Sequence, residues 1–160
     1  MSGQNSAKWF DVAHLDVERL LHSWRWLCKE RMALLARNAF GDLFLRDESG
    51  RVQLLDVTVG KLKEIAASEG RFREFAGTPQ QQEEWFAEAD MLKARDRGLD
   101  PNSNQCIGFS TPLVFAQSGS NNRPYLVDLY EHVAFLGNLH QQISDLPDGA
   151  KVRLRIEPAP

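Results

Sequence analysis

The apolar positions of this chain change rhythm several times, and each rhythm predicts an element. Leu20, Leu21, Trp24, Leu27 and Cys28 fall three and four residues apart, which is the spacing of one buried helical stripe. Asp11 or Asp16 can cap this first helix, which is expected to run to about Lys29, with Trp26 off the stripe. Residues 34–36 are a short apolar run. Residues 42–46 and 52–56 read as strands, and Gly50 between them supplies the positive φ that a short hairpin loop needs. Gly41, just before the first of these strands, marks a bulge or tight turn. Phe44 and Leu45 are adjacent on one strand and therefore point to opposite faces. Both faces want cover, which predicts helices on one side of the sheet and a loop or partner on the other.

Residues 61–67 fit a helix or a third strand equally. Ser68 is a plausible cap for a short helix carrying Phe72 and Phe75 and ending at Gly77. Thr78, Pro79 and Gln81 form a strong helix start. The helix they open is expected to run to about Arg97, stop at Gly98, and lie on the surface on a narrow stripe of Trp85, Ala89 and Leu92. Residues 106–109, 113–116 and 125–127 are short strand candidates, with a loop tip at 118–122. Leu129, Val133, Leu136, His140 and Ile143 step by four, three, four and three, a helix with one buried face. Residues 151–156 alternate cleanly and predict a half-exposed edge strand guarded by its cations. Helices and hairpin strands mix without a βαβ rhythm. The predicted class is α+β: a mostly antiparallel sheet packed by helices, in a single domain over residues 10–160 behind a flexible tail at 1–9.

Composition narrows the function classes. The chain has 160 residues, 42% hydrophobic and 26% charged, enough for a core without metals or disulfides. Its net charge of -3, from 19 basic and 22 acidic residues, offers no basic excess for phosphates and disfavours nucleic-acid binding. Cys28 and Cys106 have apolar neighbours and read as buried thiols of a reducing compartment. The polar first eight residues and the absence of a long apolar run predict a cytoplasmic protein with no membrane partner.

Candidate chemistry is sparse. His14, His22, His132 and His140 lack the spacing of a zinc helix, so no metal or cofactor is expected. Glu131 and His132 diverge by about 100° on a helix. A pairing of Cys106 with His132 would supply a nucleophile and base, but nothing near Cys106 in sequence lowers its pKa. No catalytic residues are expected. Glu83, Glu84, Glu88 and Asp90 on the long polar helix are either a solvated face or an acidic surface for a cationic partner. With Trp26 they are the candidate partner-binding residues.

Three segments carry a family resemblance: residues 37–45 (Arg-Asn-Ala-Phe-Gly-Asp-Leu-Phe-Leu) with the Gly50 turn and 52–57, residues 68–75, and Gly108-Phe109 with 112–115 leading into Tyr130-Glu131-His132. Together they resemble the C-terminal domain of the type VI secretion DNase-immunity family, and more broadly the SUKH immunity proteins. The resemblance spans roughly residues 10–156, and the Asn-Ala-Phe-Gly-Asp-Leu-Phe block is its most specific part. It implies an α+β domain that binds and neutralises a toxin, possibly a nuclease effector, with no catalytic residues to carry over. Immunity proteins of this type often carry an extra N-terminal domain, and a lone immunity-type domain is the expectation here. The alternative expectation is a small regulatory or ligand-binding module with a pocket near Trp24, Trp26 and Tyr130. A third is an enzyme using Cys106, Glu131 and His132.

Overall fold

The computed structural model describes residues 7–115, 122–151 and 153. Four strands, β1 (Ala33–Arg37), β2 (Leu43–Arg46), β3 (Val52–Asp56) and β4 (Lys61–Ala66), form an antiparallel meander in sequence order. The β2–β3 hairpin is the predicted one, with Gly50 at φ +88°. Asp47 ties its loop by accepting from the Ser49 and Arg51 backbone amides. The ambiguous segment at 61–67 is β4, because its amides complete the ladder with β3.

Leu43, Phe44 and Leu45 are all fully buried, so the sheet is covered on both faces. Phe44 faces a cluster built by α2 (Glu69–Ala76), α3 (Pro79–Phe86) and α4 (Glu88–Asp96), with Phe72, Trp85, Phe86 and Met91 at its centre. Leu43, Leu45 and Leu55 face a second cluster with α1 (Val17–Leu21) and α5 (Leu129–Ile143). The α+β class and the antiparallel sheet are as predicted. The second face, expected under a loop or partner, is instead covered by helices of the chain itself. Strands β5 (Gln105–Phe109) and β6 (Pro124–Asp128) form a separate antiparallel pair. It is joined to the end of β1 through Ile107 N–H donating to the Ala39 carbonyl at 2.7 Å.

Several boundaries moved, each for a local reason. Asp16 caps α1 by accepting from Arg19 N–H, but α1 stops at Leu21 and continues only as a 3-10 turn, His22–Trp24. The Leu27 and Cys28 amides both turn back to the Trp24 carbonyl, which closes the segment far short of Lys29. The long helix from Thr78 is two helices, because Ala87 adopts φ 49°, ψ 51° between them. That left-handed residue changes the phase of the stripe. Phe86, Met91 and Ala94 are buried, whereas Ala89 and Leu92 face solvent. Residues 113–115 are turn and bend rather than strand. Of the tail expected over 1–9, residues 7–9 are instead helical, and Trp9 is buried in the first cluster beneath the Arg37 guanidinium, 5.3 Å from its ring; residues 1–6 lie outside the described residues. The strand predicted at 151–156 and the loop tip at 118–122 lie largely outside the described residues. Among the described residues, no helix is long and apolar enough to cross a membrane.

A candidate binding cleft around His132

The block that carries the family resemblance is a turn locked from within. Asn38 is buried, and its amide group donates to Asp42 Oδ2 at 2.9 Å and to the Trp85 carbonyl at 3.0 Å. Its side-chain oxygen accepts from the Phe40 and Asp42 backbone amides, both at 3.0 Å. Asp42 Oδ1 in turn accepts from Val57 N–H at 2.9 Å, which pins the turn to the end of β3. Burial, with Asp56 nearby, pushes the Asp42 carboxyl up to about 7, against the opposing hydrogen bonds from Asn38 and Val57.

This turn does two things at its tip. It projects Phe40 outward, where its ring stacks on Phe109 of β5 with centroids 6.3 Å apart and planes 4° apart. It also places Gly41, at φ +93°, against the His132 imidazole. A Cβ at Gly41 would sit 3.1 Å from His132 Cδ2, and a Cβ at Gly108 of β5 would sit 3.2 Å from His132 Nδ1. The ring therefore occupies a slot bounded by two glycines from different strands. Burial lowers the His132 pKa to about 4, partly offset by the Phe40 carbonyl, so the imidazole is neutral at pH 7.

His132 forms one wall of a cavity of about 120 Å³, otherwise lined mainly by Phe40, Ile107, Phe109, Leu113, Tyr125 and Phe135. A dry cavity of about 150 Å³ accommodates a benzene-sized group. At the rim, Leu113 is 46% and Tyr125 45% exposed, among the most exposed large apolar side chains of the described residues. A second cleft, of about 300 Å³, lies across the Phe40–Phe109 stack and adds Asp90, Lys93 and Ala94 of α4 and its capping residue Arg97 to the shared Phe40, Ile107 and Phe109.

The sequence candidates are scattered relative to this site. Cys106 and His132 do come together, since the same Gly41 Cβ position lies 3.6 Å from Cys106 Sγ. Burial pushes that thiol up to about 12, so at pH 7 it is protonated beside a neutral imidazole. Glu131 points to solvent. No cluster of three metal-ligating side chains exists among the described residues. His140 is the buried, hydrogen-bonded histidine expected, with Nε2 3.1 Å from the Thr58 carbonyl.

No family model and no curated protein matches this chain.

The partner-binding candidates separate. Glu83 accepts from Ala89 N–H at 3.0 Å and so closes the helix break. Glu84 is exposed on α3, and Glu88 opens α4. Their four-residue spacing no longer aligns them, because the break at Ala87 lies between. Only Asp90 reaches the second cleft. Trp26 stacks on Trp24 with centroids 5.8 Å apart, and its N–H is shared between the Ser23 and Gly137 carbonyls. Trp24 is fully buried, donating to the Val133 carbonyl at 2.8 Å. The cleft described above lies instead with the β5–β6 pair, and none of Trp24, Trp26 and Tyr130 lines it. Sequence reasoning missed Phe40, Gly41 and Gly108 as neighbours of His132. The available signal was the dense Asn38–Asp42 block, polar and glycine-bearing directly before a predicted strand.

Proposed function

We propose that this chain is a non-enzymatic binding protein of the immunity type, acting in the cytoplasm by capturing and neutralising a toxin protein. The observation that carries the reading is the preformed cleft beside His132, lined in part by exposed Leu113 and Tyr125. Exposed apolar side chains grouped around a concave site are the surface signature of partner recognition. Part of the resembling sequence lies at this cleft: Phe40 on the Asn38–Asp42 turn, Phe109, Leu113 and His132. A protonated thiol and a neutral, half-buried imidazole favour binding over nucleophilic chemistry. A nuclease effector is the toxin class that the resemblance implies.

A second reading has its own support. The cavity beside His132, at about 120 Å³, approaches the size that takes one benzene-sized group, which suits a regulatory module with a small apolar ligand.

Affinity capture of the tagged full chain from its native cells, with mass spectrometry of what is retained, tests the first reading. It expects one stoichiometric partner carrying a toxin-like domain, whose toxicity in co-expression is suppressed by the wild-type chain and restored by Tyr125→Asp. If no protein is retained and no co-expressed toxin from a neighbouring gene is suppressed, the reading fails. Saturable binding of a small apolar ligand would then favour the second.

A further inference from the structure

Resting on that reading, we infer that the cleft is bipartite and takes an acidic segment of the partner, with an apolar side chain in the His132 cavity and carboxylates against Lys93 and Arg97. Phe40, Ile107 and Phe109 line both cavities, so the two adjoin across the stacked Phe40–Phe109 rings. An extended segment advances about 3.3 Å per residue, so nearby side chains of one segment can enter both adjoining cavities.

The two halves differ in chemistry. The His132 side is mostly apolar, with Thr58, Ser110 and a neutral imidazole as its polar groups. The α4 side carries Lys93 and Arg97, one helical turn apart and both exposed, and neither has an ion pair among the described residues. Asp90 lines the same cleft, which leaves an excess of one positive charge there. The chain as a whole is at -3, so this positive spot stands against a negative background. A partner carboxylate is the complement of that spot, and a cationic segment would meet Lys93 and Arg97 head on. Apolar anchoring supplies the affinity, and the cations set which segments are accepted.

The test uses the full chain, isotope-labelled, titrated with the synthetic peptides Ac-Glu-Glu-Phe-Glu-Glu-NH2 and Ac-Lys-Lys-Phe-Lys-Lys-NH2, and with an oligothymidylate. The acidic peptide is expected to shift the amides of Phe40, Gly108, His132 and Tyr125 together with those of Lys93 and Arg97. The double variant Lys93→Glu, Arg97→Glu should weaken it about tenfold, as expected for reversing two exposed charge contacts, and raised salt should weaken it too. Both substituted side chains are exposed, so the fold is kept, and the variant's spectrum checks that directly. Equal shifts from both peptides, shifts indifferent to the double variant, or no shifts would overturn the inference. Tighter binding of the oligothymidylate at the same amides would overturn it in favour of a nucleic-acid surface. A toxin partner that still binds the double variant but not Tyr125→Asp would sink the acidic segment and leave the proposed function standing.

Discussion

Two helix glycines in this protein should respond to the same substitution with opposite signs. Gly137 lies inside α5, where alanine normally stabilises by about 1 kcal/mol. Here an added Cβ would sit 2.6 Å from the Ser23 carbonyl oxygen, 2.8 Å from Ser23 Cβ and 2.9 Å from its carbonyl carbon. Those are mostly backbone atoms of the 3-10 turn, and they cannot rotate away. Relieving the overlap requires α5 and the turn to part by roughly 0.8 Å, a disturbance in the range of overpacking costs of about 1–3 kcal/mol. The same movement stretches the indole bonds from Trp24 to Val133 and from Trp26 to Gly137, now 2.8 and 3.2 Å, each worth about 1 kcal/mol. Set against the propensity gain, Gly137→Ala should lose about 2–4 kcal/mol. Gly70 lies in the first turn of α2, and the nearest atom to its added Cβ is 4.0 Å away. Gly70→Ala should gain up to about 1 kcal/mol. Urea unfolding followed by circular dichroism measures both as midpoint shifts at constant m-value. If Gly137→Ala is as stable as the wild type, the close approach of α5 to the 3-10 turn is not what holds these elements together.

Three further outcomes follow from the same geometry. The His132 pKa lies below its ordinary value, near 4, so its contribution to stability is lost as pH falls from about 6.5. Asp42 is raised to about 7, so its contribution is lost as pH rises from about 4 through 7. The two slopes oppose between pH 4.5 and 6.5, each at most about 1.4 kcal/mol per pH unit. His132→Gln should therefore make stability fall with rising pH, and Asp42→Asn should make it climb, the more so because His140 is also lowered by burial; unfolding midpoints at three pH values decide, and unchanged slopes in both variants would refute the assignment. Asn38→Ala strands the buried Trp85 carbonyl and frees the Phe40 turn, so it should cost about 2–3 kcal/mol and broaden the Phe40 and Gly41 amide signals. Ala87→Gly removes a left-handed alanine and should stabilise by about 1 kcal/mol, read as a rise in Tm.

What the sequence disclosed depended on how local the cause was. The β2–β3 hairpin, the Ser68 and Thr78 caps and the stripe of α5 are each set by residues within one element, and all appear where their patterns place them. The break at Ala87 carries no glycine or proline and left no mark. Its cause is tertiary, since it lets both Trp85 and Met91 reach one core. The end of α1 was misread because Leu27 and Cys28 keep helical spacing while their amides turn back to Trp24. The candidate cleft was the least legible part. Its slot is assembled from residues 41, 108 and 132, which no periodicity links, and two of the three act by lacking a side chain.

The docking of the N-terminal segment on α5 has a consequence for how the protein is made. Trp24 waits for Val133, a partner 109 residues later in the chain. Synthesis at about 5–20 residues per second leaves Leu20, Leu21 and Trp24 without their final cover for roughly 5–20 s on the ribosome. The β1–β4 meander can form in that interval, because its pairings are between neighbours. The nascent chain thus passes through a stage with one face of its sheet closed by α2–α4 and the other still open. At that stage a chaperone that holds apolar segments would find its target at residues 20–24.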